Sequence, residues 1–243
     1  IISQYYGARD QNAVSKSVHT ALAFSLLSGV VIMVLGLLLT DFSLRAMSLP
    51  EEIMPEATAY LRIFFLGMIP NLFYNMGAAV LRAIGDSKRP LYFLILSCLC
   101  NIVLDLIFVA YLRLGVSGAA LATILSQLAS AVMVLFVLLR TKSDVRLIPS
   151  QLRLEPFWLK KMIYVGLPAG LQSTMYTVSN IIVQATINSF GTNTIAAVTA
   201  YGKMDVIFWM VINAFGIAIT TFVGQNYGAG KTERAFRGFR AAL

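Results

Sequence analysis

The sequence predicts an all-α integral membrane protein, a polytopic bundle of helices, and three observations carry that prediction. Hydrophobic residues fill 58% of the 243 positions and charged residues 12%, about half the share found in soluble domains. Apolar runs of about 20 residues, enough to cross the hydrocarbon core, recur along most of the chain, and the mean hydropathy is +0.77. The basic residues gather in alternate short loops between those runs. A spanning segment has no water to satisfy its peptide groups, so each run is read as a helix, which satisfies them internally. The net charge of +8 therefore reports topology and not a nucleic-acid surface.

Taken in order, residues 1–6 read as the end of one span and residues 235–243 as the start of another. Six complete spans lie between them, at 17–39, 57–83, 90–112, 118–140, 159–189 and 194–223. Pro70 falls inside the second and is expected to kink it. Pro90 opens the third, where its missing N–H costs least. Pro168, near the start of the fifth, is expected to bend it. Cys98 and Cys100 share a span, point to different faces and read as small packing residues. The single His19 falls at a membrane boundary and reads as an interface residue. The chain begins without methionine or a signal-peptide pattern, and is read as an internal piece of a longer polypeptide.

Of the 19 Lys and Arg residues, fifteen lie in loops on one side, while Arg45 and Arg113 lie on the other and Arg62 and Lys203 fall inside spans. The positive-inside rule places the fifteen in the cytoplasm. The longest polar stretch, 141–155, belongs to that side and divides four spans from two. It suggests an amino-terminal lobe at 1–140, a linker at 141–158 and the start of a carboxy-terminal lobe at 159–243.

An internal repeat supports the division. Gln4-Tyr5-Tyr6-Gly7-Ala8 matches Gln225-Asn226-Tyr227-Gly228-Ala229 at an offset of 221, and both copies end a span and open a basic loop. An even number of spans separates them, so the copies share one orientation, the parallel kind of repeat found in two-lobed transporters. The repeat implies a whole protein of roughly 440 residues and twelve spans.

Polar residues inside the spans carry the functional signal. Asn101 and Asp105 are the strongly polar residues of the third span. A charge at mid-bilayer costs about 2.5–3.5 kcal/mol on insertion scales, so such residues usually face a cavity and serve function. Their i, i+4 spacing puts both on one helix face. A turn at about 113–117 places Asp105 and Thr123 at equal depth, roughly 13 Å below it. Oxygens of Asn, Asp and Thr at one level suit a hard cation, Na⁺ for example, or a proton. The other reading is an Asp hydrogen-bonded into the bundle. Gln172, Asn180, Gln184 and Asn188 form a stripe on the fifth span that is either a cavity wall or interhelical glue. Lys203 and Asp205 project about 200° apart and are poor mutual partners. Cavity lining, pairing with other helices and snorkelling all remain open for them. Asn71, Tyr74 and Asn75 form a weaker cluster near Pro70, and Arg62 is expected to snorkel outward.

Five segments in order, SQYYGARD, LRAIGDSKRP, LGVSGAALATILSQ, VGLPAGLQ and FVGQNYGAGKTERA, make the chain resemble the multidrug and toxic compound extrusion family. The resemblance covers the family's third to eighth spans, with stubs of the second and ninth. It implies a secondary antiporter that exports cationic or amphipathic compounds in exchange for Na⁺ or H⁺. The protein would sit in the inner (plasma) membrane, with the lipid bilayer and the remaining spans of the polypeptide as partners. No cofactor is implied beyond the coupling ion. In the DinF-like branch an Asn and an Asp one turn apart in the fifth family span, with a Thr in the sixth, form part of a cation site, and Asn101, Asp105 and Thr123 fit that pattern. A further family aspartate belongs to the first span, outside this chain. Other branches carry an acidic residue in the seventh span, where 159–189 has none and Tyr176 stands near its place. The candidate substrate cavity is Gln172, Tyr176, Asn180, Gln184, Lys203, Asp205, Asn71 and Asn75. The alternative is a lipid-linked oligosaccharide flippase of the same superfamily. An intramembrane enzyme is disfavoured, since neither HExxH nor GxSxG occurs.

Overall fold

A computed structural model describes residues 1–46 and 50–242, and the elements found there are helical. They are α1 (Ile2–Gly7), α2 (Gln11–Ala46), α3 (Met54–Leu66), α4 (Met68–Ala83), α5 (Lys88–Asp105), a π turn (Leu106–Tyr111), α6 (Gly115–Arg140), α7 (Pro156–Ser189), α8 (Thr192–Gly228) and α9 (Thr232–Ala242). Among the described residues, four helices are long and apolar enough to cross a membrane: α2, α5 with its π turn, α6 and α8. The α3–α4 pair, bent by 43°, makes a fifth span when taken as one. The protein is thus a multi-pass membrane protein. The expected span at 159–189 lies within α7, which has ample length at 34 residues. It does not join the others on composition, because its stripe of Gln and Asn dilutes the apolar run. The chain packs as two units, one of Asp10–Glu155 with Ile2, the other of Ser3–Arg9 and Pro156–Leu243 with Ile1.

In the first unit, Asp10 caps α2 by accepting the Ala13 N–H at 3.0 Å. α2 packs on α3 and α4, and α6 packs on α3, α4 and α5. Val14, Val18, Leu22, Val80, Leu81, Val134 and Leu138 form its buried core. Gly36 and Gly77 permit the close approach: a Cβ on the first would overlap the Phe65 ring, and on the second Val134. The kink expected at Pro70 appears one turn earlier, at Gly67. Proline lacks the N–H that would bond the carbonyl four residues back, and its ring collides with that carbonyl. The residue in that place is Leu66, where α3 ends. Pro168, by contrast, lies inside α7 without interrupting it.

His19 departs from its expected interface role. It is 2% exposed, its Nδ1 donates to the Ser15 carbonyl at 2.7 Å, and its Nε2 accepts the Ile148 N–H at 2.9 Å. The Glu155 N–H adds a bond to Thr20 Oγ1 at 3.4 Å, and Val145 and Leu147 are buried. The polar stretch after α6 is therefore fastened along α2. After it, α7 begins at Pro156, a residue suited to the first helical position.

In the second unit, the two copies of the repeat meet. A Cβ on Gly7 would overlap the Gln225 carbonyl, and a Cβ on Gly228 would overlap the Gln4 carbonyl. The copies also share a turn: Arg9 has φ 58° and its equivalent Gly230 has φ 72°. The Ala8 N–H bonds the Gln4 carbonyl at 2.9 Å, and the Ala229 N–H bonds the Gln225 carbonyl at 3.0 Å. Tyr5 packs edge-on against Trp158, 4.9 Å between centroids, and accepts from Lys161 Nζ at 2.6 Å. α7 and α8 pack on each other and leave most of their side chains exposed.

Candidate cation site

The site is built on the antiparallel pair α5 and α6, which pack together. The turn between them is tighter than expected, at Leu112–Leu114, with Arg113 at φ 53° and Gly115 at φ 56°. A serine stitches the pair: Ser97 Oγ donates to the Ser126 carbonyl at 2.7 Å, while Ser126 Oγ turns back within α6 to the Thr123 carbonyl at 2.8 Å. Nearer the turn, Gly118 lets the backbone of Phe108 approach, since a Cβ there would lie 3.1 Å from the Phe108 carbonyl carbon.

Those two contacts set the register. Counting antiparallel from them puts Thr123 level with about residues 100–103, roughly 3–7 Å farther from the turn than Asp105 at 1.5 Å per residue. Equal depth for Asp105 and Thr123 was expected from a regular α-helix and a longer turn. The π turn directly after Asp105 changes that count, because it holds more residues per turn. Thr123 is thus closer in level to Asn101, and Asp105 stands toward the turn.

The polar atoms at the site are unusual in one respect. Among the described residues, the buried side-chain atoms left without a hydrogen-bond partner are Asn101 Nδ2 and Asp105 Oδ1. Native structures rarely leave buried polar groups unpaired, and each such group demands an explanation. A carboxylate oxygen in that position is an acceptor that could receive a cation or a proton. Turning the Asn101 amide about its last torsion would put its oxygen where the unpaired Nδ2 now lies. Thr123 Oγ1 spends its proton on the Ala119 carbonyl at 2.9 Å, which leaves its lone pairs free to coordinate.

The expected cavity residues fall in several places. Asn75 Nδ2 donates to Asn71 Oδ1 at 3.0 Å, while Tyr74 leaves that cluster and donates to the Pro90 carbonyl at 3.1 Å. On α7, Gln172, Tyr176, Asn180 and Gln184 are exposed, and Gln184 donates along the helix to Asn188 at 2.9 Å. Tyr176 meets the Trp209 ring of α8 at 6.5 Å. Asp205 accepts from Trp209 Nε1 at 3.0 Å and from Tyr201 at 3.5 Å, partners on its own helix one turn away on either side. Lys203 is exposed and takes part in none of the ion pairs of the described residues. Arg62 pairs with Asp41 of α2 at 2.8 Å, both about half exposed.

Sequence reasoning missed the π turn, because LIFVAY is uniformly apolar and marks no change of phase. It also missed the Ser97 stitch, whose signal was available: Ser97 is a small polar residue inside a span, a type that bonds across helices.

Known proteins complete the description. The family described as MatE matches residues 1–107 and 168–243, a range that includes Asn101 and Asp105 and omits Thr123. The probable multidrug resistance protein YpnP of Bacillus subtilis is 34% identical over 201 residues, covering 82% of this chain and 44% of that protein. The probable multidrug resistance protein YoeA of the same organism is 30% identical over 250 residues, covering 100% of this chain and 54% of that protein. Among solved structures, an outward-facing multidrug resistance MATE family transporter of the MOP superfamily matches with a TM-score of 0.92 at 28% identity, over 99% of this chain and 54% of that one. The chain therefore spans about half the length of the relatives it matches.

Proposed function

Because this chain belongs to the MatE family, we propose that the whole protein is a secondary active antiporter that exports cationic or amphipathic drugs in exchange for Na⁺ or H⁺. The observation that carries the coupling part is the buried, unpartnered pair Asp105 Oδ1 and Asn101 Nδ2 on one face of α5. An antiporter needs a group that is costly to leave charged and empty, so that ion occupancy decides which conformation is favoured. Asp105 is that group in this reading, and Asn101 and Thr123 supply neutral oxygens, the arrangement of the DinF-like branch. The names of the relatives speak for drug export over the oligosaccharide-flippase reading. The test is efflux of a cationic dye by the full-length protein in proteoliposomes. An imposed Na⁺ or H⁺ gradient should accelerate it, and a rate indifferent to both gradients would refute the proposal.

The proposed orientation sets the basic loops in the cytoplasm of the inner membrane. A cysteine at Ser150 should then react with an impermeant thiol reagent only from the cytoplasmic side, and one at Glu52 only from outside. The opposite pattern would invert the topology.

The proposed substrate surface is the exposed stripe Gln172, Tyr176, Asn180 and Gln184 of α7, with Lys203 and Asp205 of α8 beside Trp209. Gln184→Leu should change export of some compounds several-fold and leave others untouched, since losing one polar anchor costs about 1 kcal/mol only where a substrate uses it. An equal loss for every compound, tracking a loss of folded protein, would assign the stripe to packing.

A further inference from the structure

We propose that the π turn Leu106–Tyr111 is the positioning element through which occupancy of Asp105 is converted into movement of the α5–α6 hairpin. The proposal rests on the reading of Asp105 as the coupling carboxylate. Three observations support it.

The first is placement. The Leu106 N–H still reaches the Ile102 carbonyl, four residues back, whereas the Leu112 N–H reaches the Ile107 carbonyl, five back, at 2.8 Å. The change of pattern therefore begins directly after Asp105. π turns are rare, appear mostly as interruptions of α-helices, and are frequent at functional sites.

The second is how lightly the turn is held. Leu106 is 62% and Tyr111 82% exposed to the surroundings of the bundle, and Phe108 alone of its six residues is half-buried. The backbone of Phe108 packs closely against Gly118 of α6.

The third is the load on the residue just before it. Asp105 Oδ1 is buried without a partner, and its cost disappears when a cation or proton arrives. The free energy released acts on the residue from which the π turn departs. Return of the segment to α geometry would rotate the residues after it by about 100°, one residue's share of a 3.6-residue turn. It would also break the bond from the Leu114 N–H to the Phe108 carbonyl, now 2.9 Å, and so re-aim the turn into α6. Two discrete backbone arrangements biased by one bound ion are what coupling requires.

The test measures hydrogen–deuterium exchange of the amides of residues 106–114 in the full-length protein in lipid nanodiscs. Wild type is compared in sodium chloride, in N-methylglucamine chloride and with pH lowered at constant salt. Asp105→Asn, in which the carboxylate is permanently neutral, is compared with wild type in N-methylglucamine chloride. Exchange in the segment should differ at least about fivefold between the empty wild type and either the ion-loaded wild type or Asp105→Asn. Gly118→Ala, which presses on Phe108, should shift exchange without added ion and move the half-saturating ion concentration of efflux several-fold. Identical exchange in every state, with efflux still dependent on Asp105, overturns this inference and leaves the coupling site standing. Efflux that stays gradient-driven in Asp105→Asn overturns the coupling site itself. If Gly118→Ala fails to fold, the wild-type comparison decides alone.

Discussion

Asp105→Asn is expected to abolish cation-driven efflux while leaving the amount of folded protein unchanged. The substitution keeps the side-chain volume and removes the charge, so the packing of α5 on α6 has no cause to change. It also removes the charge from a carboxylate whose Oδ1 is buried and unpaired, so the variant should be at least as stable as wild type. What it loses is the difference in energy between the empty and occupied states. Asn101→Ala and Thr123→Ala each delete one neutral oxygen. A contact of that kind to a charged group is worth about 1.5 kcal/mol, so each should raise the half-saturating ion concentration roughly tenfold with efflux still measurable. The register adds a distinction. Thr123 lies nearer the level of Asn101 than of Asp105, so the Asn101→Ala and Thr123→Ala effects should be less than additive, as for residues sharing one contact. Wild-type coupled efflux by Asp105→Asn would return Asp105 to a packing role.

Gly228→Leu carries the second large expectation. At this position the α8 backbone crosses that of α1, and any Cβ overlaps the Gln4 carbonyl. A backbone atom cannot swing aside as a side-chain tip can. Overpacking costs about 1–3 kcal/mol in ordinary cores, and the upper end applies here, a fall of roughly 5 °C or more in the unfolding midpoint of the full-length protein. Gly7→Leu, which meets the Gln225 carbonyl in the mirror contact, should cost a similar amount because the two sites are equivalent in the repeat. Gly216→Leu is the control, since no atom of the described residues lies within 4 Å of a Cβ there. A fall at Gly216 as large as at Gly228, or none at Gly228, would contradict the crossing.

The sequence by itself determined the membrane class, the helical spans and the repeat. These follow from local composition: an apolar run of sufficient length has one way to satisfy its backbone in lipid, and a repeated segment repeats its turn, as Arg9 and Gly230 do. It also singled out Asn101 and Asp105, because polarity inside an apolar run is costly wherever it occurs. Tertiary structure decided the rest. No local signal could tell that His19 would be buried as the anchor of the 141–155 stretch, since its acceptor role needs the Ile148 N–H from 129 residues away. Nor could it tell that Arg62 would find Asp41 on α2, or that the kink of Pro70 would surface at Gly67. The relative depth of Asp105 and Thr123 was likewise beyond reach. It depends on a π turn within a uniformly apolar stretch, and on a backbone contact at Gly118 that exists only once α5 and α6 are packed. Composition reports the environment each residue needs, and packing alone reports which neighbour supplies it.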